Sequence, residues 1–160
     1  MQKLLAISLL VTLAACQSSP RPPSLPEQPQ LSVPTGAQSV TIAAAPPAVR
    51  AALVSSAHEK GTAVIQDGAN MVIMERTMTG ENPALDAEFG PSDNGIRVVR
   101  IRVRFTGSQC KTLAVQDVAV INNARTALEQ SFVLPGNPNT MESLRGLKSR
   151  AENGSVCPPV

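Results

Sequence analysis

The sequence predicts an α+β domain: a mainly antiparallel sheet of four to five strands, with one helix after the first strand and a second helix closing the chain, both on one face of the sheet. Three observations carry this expectation. Residues 98–105 alternate strictly, Val99, Ile101, Val103 and Phe105 against Arg100, Arg102 and Arg104, which is the period of a strand with one dry face and one wet face. Val49, Ala52, Leu53 and Ala57 recur by three and four, as on a one-sided helix. Met141, Leu144, Leu147 and Ala151 repeat that stripe near the end of the chain.

Taken in order, residues 39–43 read as a short strand, and Pro46-Pro47 then suit a first helical turn, where a missing N–H costs nothing. The helix runs over 47–60, and Gly61 is placed to stop it. Residues 63–66 and 71–77 form a hairpin around Asp67-Gly68-Ala69-Asn70, with Val72, Met74 and Met78 on the alternating face. Residues 79–95 are an acidic loop holding Glu81, Asp86, Glu88 and Asp93, with Phe89 either pinning it to the domain or meeting a partner. In 112–121, Leu113 and Val115 have one parity and Val118 and Val120 the other, so a bulge is expected near Gln116-Asp117. Asn122-Asn123 suits a turn. Residues 125–134 fit a strand through Thr126, Leu128, Phe132 and Leu134, or a helix through Ala124, Leu128 and Phe132, and the strand is favoured. Past Pro138, Asn139 and Glu142 have capping-box spacing ahead of the last stripe, which ends at Asn153-Gly154. With Phe89, Phe105 and Phe132 as its whole aromatic complement, the core must be built from aliphatic side chains, and stacking platforms for sugars or bases are not expected.

Ahead of the domain lie two segments of other kinds. Residues 17–38 carry six prolines among serine and glutamine with almost no large apolar side chain, the composition of an extended tether at about 3.1 Å per residue. Residues 1–15 begin with Lys3 and continue as an apolar run too short to span a hydrocarbon core, which needs roughly 20 residues. The run ends in Leu13-Ala14-Ala15-Cys16, which resembles the lipobox of bacterial lipoproteins. The resemblance implies a signal peptide over 1–15, cleavage before Cys16, acyl chains on that cysteine, a tether over 16–38 and one periplasmic domain over 39–157. Gln17, not being aspartate, implies sorting to the periplasmic face of the outer membrane. Two or three acyl chains hold a protein where one holds it only marginally.

With Cys16 taken by lipid, Cys110 and Cys157 remain in an exported chain, where a disulfide forms and persists, although two free thiols stay possible. The bridge would join the end of the arginine strand to the tail and close a loop of nearly fifty residues, for about 4 kcal/mol by the loss of unfolded-chain entropy. In outline the domain is similar to the helix-grip domains of some envelope lipoproteins, a similarity of architecture that transfers no residue roles.

Loss of residues 1–15 also takes Lys3, so 14 basic residues fall to 13 against 12 acidic, a balance that indicates no nucleic-acid partner. His58, the sole histidine, lies near a helix C-terminus, where a solvated side chain is the ordinary role. Glu75 and Glu129 fall on strand-like segments beside polar or basic neighbours, and exposed pairing is their ordinary role. The acids of 79–95 lack the alternate-residue spacing of a calcium loop, so neither a metal nor another cofactor is expected, and no catalytic residue is assigned. Arg100, Arg102 and Arg104 either pair with Glu75, Asp117 and Glu129 on neighbouring strands or dock an anionic partner. The expected function is that of a membrane-anchored, non-catalytic binding or assembly module, held to the membrane by its lipid and facing another envelope protein or a cell-wall component. The alternative is a carrier or sensor of a small apolar or lipid-like ligand, housed under the helix over 47–60.

Overall fold

Nine elements follow one another in a computed structural model that describes residues 31–158. They are β1 (Gln38–Ile42), α1 (Pro46–Glu59), β2 (Ala63–Asp67), β3 (Met71–Met78), α2 (Pro83–Phe89), β4 (Ile96–Ser108), β5 (Lys111–Ala124), β6 (Gln130–Leu134) and α3 (Pro138–Asn153). The strands form one antiparallel sheet in the order β1-β5-β4-β3-β2, with β6 also beside β5. The predicted class is what the chain adopts. Cys16 and the signal segment lie outside the described residues.

The helices are placed by their stripes. Val49, Ala52, Leu53 and Ala57 of α1 are buried, as are Leu144, Leu147 and Ala151 of α3, and they close over Val72, Met74, Val103, Phe105 and Ala114 of the sheet. Each large side chain so buried contributes about 1.5–3 kcal/mol. Gly61, at φ 62°, ends α1 as expected, with the Thr62 N–H donating to the Ala57 carbonyl at 2.9 Å. Cys110 and Cys157 are bonded, their Cα atoms 5.3 Å apart, so the tail beyond α3 is fastened to the β4–β5 turn.

Four expectations need correction. No bulge occurs at Gln116-Asp117: the β4–β5 register is continuous from Val98 opposite Ile121 to Ser108 opposite Lys111. The apolar residues of β5 have both parities because both of its faces are covered, Ala114 and Val120 toward the helices, Val115 and Ile121 away from them. Asn122-Asn123 are still strand, and the turn follows them. Only residues 130–134 of the ambiguous segment form a strand, while 125–129 is a turn. The cap of α3 is Asn137, whose side chain accepts from the Thr140 N–H at 3.1 Å, two residues before the expected capping box.

The acidic loop also contains a helix, α2, capped by Asn82 with Pro83 beginning its first turn. Phe89 at its end meets Phe132 with ring centroids 5.2 Å apart. Phe132 stands opposite Val120 and Val120 opposite Val99, so by register α2 touches the same face as α1 and α3.

Candidate functional site

The sheet face turned away from α1 and α3 carries the arginine ladder. By register Arg100 stands opposite Glu75 on one side and Ala119 on the other, and Arg102 stands opposite Ile73 and Asp117. The acids expected as partners from the sequence are the ones the fold brings up. Arg100 Nε donates to Glu75 Oε1 at 2.7 Å, and its Nη1 donates to Glu129 Oε1 at 3.0 Å. Arg102 donates from Nε and Nη2 to Asp117 Oδ2 at 3.2 and 3.0 Å, and Arg104 Nη2 donates to that same oxygen at 3.1 Å. Burial pulls the Arg100 guanidinium down, yet Glu75 and Glu129 hold it above its ordinary value.

The network has a member that strand periodicity does not reveal. Arg125 Nη2 donates to Glu75 Oε2 at 2.8 Å, so the Glu75 side chain, only 2% exposed, lies between two guanidiniums. Arg125 reaches it because Asn123 and Arg125 adopt φ of 51° and 65°, which turns residues 125–129 back over the face. Asparagine tolerates that region, but arginine is strained there. The strained residue is tied down by its own N–H, which donates to Glu129 Oε2 at 2.9 Å. That bond is the largest influence on the Glu129 carboxyl; burial opposes it, Arg100 adds to it, and the pKa lies below its ordinary value.

Four guanidiniums thus meet three carboxylates. The halves of the ladder differ. Glu75 and Glu129 serve Arg100 and Arg125, whereas Asp117 alone serves Arg102 and Arg104. The Arg104 Nε atom is buried without a hydrogen-bond partner among the described residues. Beneath these charges Val98, Val115 and Ile121 are fully buried.

On the opposite face, α1 and α3 leave a cleft of about 430 Å³ between them. Leu53, Met74, Ile101, Val103 and Leu147 line it, with Lys60, Glu142 and Arg150 among its polar residues. Beside α2 a buried arginine was also missed: Arg97 donates to Asn122 Oδ1 at 2.6 Å, Asp86 Oδ1 at 2.7 Å and the Gly90 carbonyl at 2.5 Å, holding α2 to the sheet. Its signal was parity, since the inward series Val103, Ile101, Val99 reaches Arg97 one step further back. His58 is exposed near the end of α1. Among the described residues no group of three or more His, Cys, Asp or Glu side chains is arranged to hold a metal ion, and no helix is long and apolar enough to cross a membrane.

Compared with known proteins, the chain matches no family model, no curated protein and no solved structure.

Proposed function

We propose that this chain is a lipoprotein of the bacterial outer membrane, anchored through acyl chains on Cys16, whose domain is a non-catalytic module that binds another envelope component. The lipobox-like Leu13-Ala14-Ala15-Cys16 supports the anchor and the proline-rich segment behind it supports a tethered domain. The observation that carries the binding role is the sheet face opposite α1 and α3, where an organised charge network has one more guanidinium than carboxylate. Charges arranged in this way favour partner choice and encounter rate more than raw affinity.

A second reading has its own support. The cleft between α1 and α3 has an apolar lining and a volume of about 430 Å³, inside the roughly 300–1,000 Å³ range of ligand pockets, and suits a carrier of an apolar or lipid-like molecule.

Two experiments test the anchor and separate the readings. In cells, Cys16→Ser is expected to release the domain from the membrane fraction and abolish labelling by radioactive palmitate; unchanged fractionation and labelling overturn the anchor. Crosslinking of the lipidated protein in the intact envelope is expected to yield a discrete protein or cell-wall adduct. Capture of a stoichiometric lipid with no such adduct moves the function to the cleft.

A further inference from the structure

We infer that the Arg102–Arg104 half of the ladder is the docking site for an acidic polypeptide segment, seated where the edge of the sheet is broken beside Asp117. This rests on the proposed binding role and narrows it to one place and one partner chemistry.

Charge distribution makes the first part of the case. Arg100 and Arg125 have two carboxylates between them, whereas Arg102 and Arg104 share a single oxygen of Asp117. The Arg102 side chain is 47% exposed, and Arg104 keeps an unpartnered Nε. Asp117 takes the Nε and Nη2 edge of Arg102, so an incoming carboxylate is met by the exposed end of that guanidinium, Nη1 with the outer Nη2 N–H.

Shape makes the second part. β1 pairs with β5 as far as Gln116, and β6 pairs with it from Val118 onward, so the edge is interrupted at Asp117. A cleft of about 290 Å³ opens there, lined by Asp117, Val133, Leu134, Thr35 and Gly136 among others. Val133, on the ladder face by its register with Ala119, is 70% exposed. Asp117 thus stands between the arginine pair and this apolar shelf, an order that fits a chain in which glutamate or aspartate neighbours an apolar residue. An anionic lipid surface is the poorer match, because attraction there is only about 1 kcal/mol per basic residue and the network has one to spare.

The test uses the full-length lipidated protein in neutral detergent micelles and a fluorescent peptide of alternating glutamate and valine. Wild type is expected to bind the peptide in a salt-sensitive manner and to ignore its lysine–valine counterpart. Arg102→Gln with Arg104→Gln is expected to weaken binding at least about tenfold, and Arg100→Gln less than about threefold. Asp117→Asn removes the charge that Arg102 and Arg104 share and is expected to bind more tightly, an opposite sign that a merely structural role does not produce. Circular dichroism establishes that each variant is folded. The inference is overturned by equal binding of both peptides, by a folded double variant that holds the peptide as wild type does, or by a wild type that takes only phosphatidylglycerol vesicles. Membrane fractionation and envelope crosslinking are read separately, so a silent peptide alongside intact anchoring and crosslinks removes this site alone.

Discussion

On the helix side of the sheet, Val72, Val103, Phe105 and Ala114 are shut off from water by α1 and α3, whereas across the same strands Val98, Val115 and Ile121 are equally dry although those helices lie on the other side. The first face is closed by apolar stripes, which act without direction and tolerate small shifts. The second is closed by polar residues. Arg104 stands directly opposite Val115, so its methylenes are placed to cover the valine while its guanidinium pairs with Asp117. The returning turn over residues 125–129 brings Arg125 and Glu129 onto the network. One face is therefore a packed core, and the other is a thin apolar layer under a lattice of charges that water and partners can reach.

The faces should accordingly fail in different ways. Phe105, 1% exposed and central to the helix side, is expected to lose about 3–5 kcal/mol of stability on substitution by alanine, through transfer and cavity terms together. Chemical denaturation followed by circular dichroism measures this, and the loss should be insensitive to salt. A loss under about 1 kcal/mol would mean that the helices do not close tightly on the sheet. On the charged face the corresponding change is Glu75→Gln, which keeps the shape and removes the charge between Arg100 and Arg125. Those two side chains are 27% and 61% exposed, so water screens what the carboxylate leaves behind. The expected loss is about 1–3 kcal/mol, smaller than for Phe105→Ala and reduced by added salt, which screens ion pairs that only wild type has. A loss as large as that of Phe105→Ala would make the charge network a structural centre rather than a cover.

The helix-side core was largely legible in the sequence, because a stripe by three and four and an alternation by two are each written in neighbouring residues. α1, α3, the β2–β3 hairpin and β4 all fall within a few residues of where those periods place them. The charged side was legible only in part. Arg100, Arg102 and Arg104 announce a wet face, and Glu75, Asp117 and Glu129 could be named as partners, but Arg125 enters through two positive-φ residues rather than through any period. β5 misled for a related reason: a strand covered on both sides keeps no single parity, and a continuous apolar run then resembles a slipped register. α2 is too short to show a stripe and was signalled only by Asn82-Pro83 at its start. Asp117's double duty, and the broken edge beside it, depend on the meeting of β1 and β6 about β5, which no local pattern encodes.

Acid should sharpen the contrast, with the smallest effect of the three. Glu59 beside Arg150, Asp67 beside Arg50 and Glu129 beside the Arg125 N–H are all held below the ordinary carboxylate range. Of these only Glu129 belongs to the charged face, and Glu152 joins the others on the helix side: burial pushes its carboxyl up, but Lys148 at 2.5 Å and the Ala43 N–H at 2.7 Å together pull it below its ordinary value. The Ala43 contact ties α3 to the end of β1, as does Lys148 Nζ, which donates to the Thr41 carbonyl at 3.0 Å. A carboxyl lowered in the fold takes up its proton more readily in the unfolded chain, so its contribution is complete above the ordinary glutamate value of about 4.3 and fades as pH falls through the lower folded value. Stability is therefore expected to be level from neutrality down to about pH 5 and to decline below it. Glu152→Gln keeps an acceptor for the Ala43 N–H but has no charge to lose. Its stability should lie slightly under wild type at neutral pH and approach it as the medium is acidified, since protonation makes the two side chains alike. Denaturant midpoints taken across the acid range measure the gap. Curves that stay parallel throughout would mean that Glu152 is not linked to folding by its proton, and that α3 is held to β1 by packing and the Lys148 bond to the Thr41 carbonyl.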